Sequence, residues 1–193
     1  MARGPRVIIE GGLYHVYNRV SSGEHIFAES EEAMEFVEIV RDVKKRDGWT
    51  VFAWCVMSNH FHLVVRTSSV PLWRGMHGVQ NRFSRGFNRR FGRTGGLLQG
   101  RYKAKYVEDQ SYLDRLVLYV HLNPVRAGLV DEPTEYPFGG HRELPKAWHQ
   151  NMVPRVCRRS DLCMGSAWRA GIRIHHDRRS VRALWLSQRG GRG

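Results

Sequence analysis

Two strand-forming runs, Thr50 to Met57 and His60 to Arg66, are separated by only Ser58 and Asn59. A two-residue connection cannot carry a helix, so the runs predict an antiparallel hairpin. Other segments supply its partners. Leu13 to Val20, rich in β-branched and aromatic residues after Gly11 and Gly12, predicts a strand. Residues 99–107 predict another. Between them, Phe36, Val37, Ile39, Val40 and Val43 share one helix face over residues 31–46, with Ser30 as N-cap and Gly48 as stop. Residues 72–91 predict a helix weakened by Gly75, Gly78 and Gly86. Residues 109–122 predict a third, stopped by Pro124. The order strand, helix, strand, strand, helix, strand, helix implies an α+β fold, a central antiparallel sheet flanked by helices. Beyond about Pro145 the periodicity fades and Arg, Gly and Ser increase. The expected division is a folded domain over 6–144 and a basic C-terminal tail over 145–193, partly disordered until it meets a ligand, with a weak helix over 180–187.

On the second strand of the hairpin, His60 and His62 are two apart, so both imidazoles point to one face, while Phe61, Leu63 and Val65 point to the other. Paired imidazoles make a half-site for a divalent cation; the short motif equally fits two satisfied histidines on a hairpin. The third helix carries a second constellation. Leu113, Leu116, Val117 and Val120 form its apolar stripe, and Tyr119 and Asn123 lie one turn apart on the bordering flank. A phenol attacks well only when its proton is removed or its charge stabilised. Asn123 can add an oxygen ligand to a metal held by the histidines, leaving positions open for phosphate oxygens. Taken singly, Tyr119 also reads as a core-edge tyrosine and Asn123 as a helix C-terminal residue before Pro124.

Charge narrows the substrate class. Lys and Arg number 31 against 18 Asp and Glu, a net charge of +13, which attracts polyanions, nucleic acid first among them. Every charged residue from Arg66 to Tyr106 is basic, and every one from Glu24 to Glu38 is acidic, predicting a nucleic-acid-facing side and a solvated acidic helix. No stretch approaches the roughly 20 apolar residues that span a bilayer. The N-terminus lacks the apolar core and cleavage site of a secretory signal. The three cysteines, Cys55, Cys157 and Cys163, fit a reducing compartment, so a cytoplasmic location is expected.

Four motifs occur in order: Tyr-His-Val-Tyr-Asn-Arg from Tyr14 to Arg19, Met-Ser-Asn-His-Phe-His-Leu-Val-Val from Met57 to Val65, Gln-Gly-Arg-Tyr-Lys-Ala from Gln99 to Ala104, and Tyr-Val-His-Leu-Asn-Pro-Val-Arg-Ala-Gly-Leu-Val from Tyr119 to Val130. Together they resemble the one-tyrosine transposases of the HUH endonuclease superfamily, and most nearly the REP-associated tyrosine transposases of bacterial chromosomes. The resemblance covers roughly residues 6–142 and rests most on the run after Tyr119. It implies a ferredoxin-like HUH nuclease fold, Tyr119 as nucleophile, and Mg²⁺ or Mn²⁺ held by His60, His62 and Asn123. The implied reaction is transesterification of single-stranded DNA through a 5′-phosphotyrosine link, on imperfect palindromes folded into hairpins, by a nucleoid-associated protein that is a monomer in preference to a homodimer, with the histidines and tyrosine acting in one chain or in two.

Arg82, Arg85, Arg89, Arg90 and Arg93 form a basic helix and loop suited to a phosphate backbone, and Arg101, Lys103 and Lys105 alternate on the predicted strand after it. Phe83, Phe87 and Phe91 interleave with these arginines, either as a core face or as platforms for unpaired bases. Cys157, Cys163, His175 and His176 match no common zinc-finger spacing. Two other readings remain: a hairpin-binding regulator that does not cut, and an RNA-hairpin binder.

Overall fold

The computed structural model describes residues 9–144. Its main elements are β1 (Leu13–Arg19), α1 (Ser30–Asp47), β2 (Thr50–Met57), β3 (His60–Arg66), α2 (Leu72–Arg90), β4 (Lys103–Tyr106) and α3 (Gln110–Arg126). The strands form one sheet in the order β2-β3-β1-β4, every neighbouring pair antiparallel. With α1 and α2 as the two crossovers this is the ferredoxin-like α+β arrangement, to which α3 is added. The expected tail over 145–193, its weak helix and the Cys157, Cys163, His175 and His176 group lie outside the described residues.

The turn at Ser58 and Asn59 uses no positive φ. The fold holds it instead, since Phe27 N–H donates to the Ser58 carbonyl and Val20 N–H to that of Asn59, at 2.9 and 2.8 Å. Register then sorts the side chains. Tyr17 and Cys55 flank His62 on the two neighbouring strands, and Arg19 and Met57 flank His60. Opposed residues share a face, so one face carries His15, Tyr17, His60 and His62, with Lys103 and Lys105 from β4. The other face presents Val16, Phe61, Leu63 and Val65 to α1 and α2. There Phe36 meets Phe61 at 4.6 Å between ring centroids, and Phe27 and Phe83 close the cluster. The third helix, α3, lies across β2 and β3 on the histidine face.

Several sequence expectations shift. Glu29, not Ser30, caps α1, and Ser30 is its first helical residue. The last strand is only four residues long, because Gly100 adopts φ +64° and its carbonyl accepts from the Asn18 side chain at 3.1 Å, turning the chain before Lys103. One glycine of α2 is a packing device: a Cβ at Gly75 would sit 2.1 Å from the Trp49 ring. Pro124 lies inside α3, which runs on to Arg126. The acidic helix is a solvated face only in part: Glu31 and Glu38 are exposed, whereas Glu32 is buried. It packs beside α2, where Arg82 meets Asp42 at 2.9 Å and Arg90 meets Glu35 at 2.7 Å, while Arg93 just beyond α2 meets Glu24 at 2.7 Å.

Candidate active site

The two histidines of β3 are buried on the face covered by α3, their ring centroids 5.2 Å apart. Each has its Nδ1 engaged. His60 Nδ1 lies 2.8 Å from Asn59 Oδ1, an oxygen that can only accept, so His60 donates from Nδ1. His62 Nδ1 lies 3.0 Å from His15 Nε2. His15 is fully buried on β1, its ring stacked on that of His62 at 5.2 Å and 24°. Burial, with Lys105 nearby, lowers the His15 pKa to about 3, so its imidazole is neutral near pH 7.

Tyr119 projects from α3 onto this group, its ring edge-on to His62 at 5.7 Å and to His15 at 6.3 Å. Only 7% of the residue is exposed. Burial raises the phenol pKa; the Arg126 charge and a hydrogen bond with the Asn123 side chain pull it back down. The Arg126 guanidinium sits 5.4 Å from the centre of the Tyr119 ring.

Asn123 explains how α3 passes Pro124. Proline has no N–H, so the Val120 carbonyl loses its usual donor from residue 124. Asn123 Nδ2 reaches back to that carbonyl at 3.4 Å and to the Tyr119 carbonyl at 2.9 Å. The helix therefore continues, and Tyr119, Asn123 and Arg126 fall on one flank at i, i+4 and i+7.

The predicted basic residues divide. Lys103 and Lys105 lie on the histidine face, opposite Tyr17 and His15, with Lys103 Nζ 5.9 Å from the Tyr17 ring centre. Arg82, Arg90 and Arg93 are tied to carboxylates. Arg85, Arg89 and Arg101 are exposed. Phe83 and Phe87 are core, whereas Phe91, half exposed, packs against Phe87 with the ring centroids 4.5 Å apart and the planes tilted by 38°. Sequence reasoning missed His15, Asn59 and Arg126. Their signals were present: a lone histidine in an apolar strand, an amide directly before His60, and an arginine seven residues past Tyr119. Among the described residues no group of three or more His, Cys, Asp or Glu is placed to hold a metal ion, and no helix is long and apolar enough to cross a membrane.

A ferredoxin-like sheet with a polar centre between its histidine face and an added helix defines a small α+β fold class. The family follows from the sequence: a model of IS200-like transposases matches residues 9–123, from the approach to β1 through Asn123, and the chain belongs to that family. Its role is thus that of a transposase, a DNA-processing enzyme. Among solved structures, it is similar to a REP-associated tyrosine transposase bound to a REP hairpin, at 18% identity and a TM-score of 0.64, covering 74% of this chain and 84% of that one. It is also similar to a putative transposase from Deinococcus radiodurans R1, at 18% identity and a TM-score of 0.43, covering 62% of this chain and 94% of that one. No curated protein matches the chain.

Proposed function

We propose that this protein cleaves and rejoins single-stranded DNA at hairpin-forming palindromes, with Tyr119 as the nucleophile. The observation that carries the reading is the seating of Tyr119 between the histidine face and the Arg126 cation. Tyr119 Oη attacks the scissile phosphorus; the O–P bond to tyrosine forms, the P–O3′ bond breaks, the phenolic proton is released and the 3′-oxygen takes up a proton. A second 3′-hydroxyl reverses the exchange and rejoins DNA, and the phosphotyrosine bond conserves the energy needed. Arg126 stabilises the developing phenolate, and the Asn123 amide supports it by a hydrogen bond. Lys103 and Lys105 bring phosphate to the same face.

His60, His62 and Asn123 fit a divalent cation, Mg²⁺ or Mn²⁺. The set is neutral, two imidazoles and an amide oxygen, so the ion would keep its charge for phosphate, and the set includes too few imidazoles or carboxylates to form a three-member cluster. Such an ion, when bound, supplies charge neutralisation and orientation of the phosphate. Asn59 holds His60 with its Nε2 lone pair available.

One observation favours a hairpin binder that does not cut: Tyr119 is buried and its pKa raised, which suits a structural tyrosine. The two separate in one experiment. The protein is incubated with single-stranded hairpin DNAs and Mg²⁺ or Mn²⁺, and denaturing gels with mass spectrometry seek an adduct on Tyr119. A metal-dependent adduct supports the nuclease; tight hairpin binding with no adduct supports the binder.

A further inference from the structure

We infer that His15 is a positioning residue that accepts a hydrogen bond from His62 Nδ1–H and so holds His62 in the tautomer whose Nε2 lone pair is available to a cation. The inference deepens the proposed site and rests on His62 serving as a ligand there.

The geometry is specific. His15 Nε2 and His62 Nδ1 are 3.0 Å apart, in hydrogen-bond range, and both residues are fully buried. A neutral imidazole carries one proton, so one ring donates and the other accepts. Were His15 the donor, the proton of His62 would sit on Nε2 and neither of its nitrogens would be available to a metal. With His62 as donor, Nε2 is available. Metal-bound histidines almost always give their second N–H to a carboxylate, a backbone carbonyl or water, which sets the tautomer and the ring angle; here the His15 Nε2 lone pair takes the acceptor's place. On β3 the neighbouring case is already fixed, since His60 donates from Nδ1 to Asn59 Oδ1. The two imidazoles then match, each Nδ1–H held by a partner from the protein.

A bland role for His15 fits less well. Its Nδ1 is buried and makes no hydrogen bond among the described residues. In either tautomer, then, one polar atom of His15 goes unpartnered, a defect that an apolar residue at this strand position would avoid. Places where a sequence breaks local packing rules are expected to be functional. Three ring contacts also hold His15 in place: Tyr17 at 5.0 Å on its own strand, His62 at 5.2 Å, and Tyr119 at 6.3 Å from α3.

The test uses the full chain with ¹⁵N-labelled histidine. Long-range ¹H–¹⁵N spectra report the His62 tautomer without and with Mg²⁺, and titration with Mn²⁺ reports affinity. The expected wild-type result is His62 protonated on Nδ1. His15→Phe should lose that tautomer preference and weaken Mn²⁺ binding roughly 10- to 100-fold. His15→Gln, whose side-chain oxygen can accept, should recover most of both, with thermal melts confirming that each variant folds. His62 protonated on Nε2 in the wild type, or an unchanged tautomer and affinity in His15→Phe, overturns the inference. Failure of wild-type His62 to respond to Mn²⁺ overturns the metal site instead, and the metal-free tautomer still decides what His15 does.

Discussion

Tyr119 is covered before any substrate arrives, and that sets its chemistry. Burial holds the phenol protonated, while Arg126 and the Asn123 amide oppose burial from the same helix flank. Removing the opposing charge has a definite sign. Arg126→Gln should raise the phenol pKa further, move the alkaline rise of adduct formation to higher pH, and slow the reaction at neutral pH about tenfold or more. Single-turnover adduct formation followed across pH checks this, and an unshifted profile sinks the role given to Arg126. Tyr119→Phe removes only the attacking oxygen, so cleavage should vanish while hairpin affinity in gel-shift titrations stays within about twofold. A variant that still cuts at the normal rate would move the nucleophile elsewhere. His15 gives a stability prediction. Its folded pKa, about 3, is depressed below the ordinary 6.5, so the unfolded chain binds the proton more tightly. Stability present above pH 6.5 is therefore lost as pH falls towards 3, at up to about 1.4 kcal/mol per pH unit. Urea unfolding of His15→Gln should lack that share of the slope; identical slopes would contradict the shift.

At the scale of elements, α3 shows why part of the site was illegible in the sequence. Pro124 reads as a helix stop, and stopping the helix at residue 122 hides Arg126, which shares a flank with Tyr119 only if the helix continues. Continuation depends on a side chain, Asn123, replacing the missing backbone donor at Val120. Asn123→Ala should therefore cost about 1–3 kcal/mol in urea unfolding, because a buried carbonyl loses its partner. In a Pro124→Ala background a backbone N–H is restored and the cost should shrink, giving a coupling of about 0.5–1.5 kcal/mol in the double-mutant cycle. Strict additivity would rule the stitch out. The shared face of the two histidines and the shared flank of Tyr119 and Asn123 were legible because they depend on local periods of 2 and 3.6 residues, while the roles assigned to them came from the family resemblance. His15 was not, since its partnership with His62 depends on β1–β3 register across residues far apart in sequence. The hairpin and the element order were legible for the same local reason. The shortness of β4 was not, because a bond from Asn18 to Gly100 makes that turn.

Across the whole molecule, the surplus of positive charge is less evenly available than the sequence implies. The acidic stretch of the chain folds beside the basic one, and Asp42, Glu35 and Glu24 each hold an arginine that sequence reasoning assigned to DNA. These pairs are exposed, and each contributes little to stability. Their effect falls instead on binding: an arginine already near a carboxylate gains less from a phosphate, because it gives up one partner for another. Lys103 and Lys105 differ. They stand on the histidine face beside Tyr17 and His15, on the side from which the proposed function would bring a strand to Tyr119. Binding driven by phosphate contacts weakens with salt, by a slope of roughly 0.7–0.9 per contact in a plot of log affinity against log salt. Replacing both lysines by glutamine should thus flatten the slope for hairpin DNA by about 1.5. Replacing Arg82 and Arg90 should flatten it by clearly less. Fluorescence anisotropy across a series of NaCl concentrations measures both. If the arginine pair flattens the slope as much as the lysine pair, the carboxylates of α1 release their partners to DNA, and the helix interface is itself part of the nucleic-acid surface. If only the lysines matter, the strand runs over the sheet face that holds the histidines, and α2 serves chiefly to brace α1.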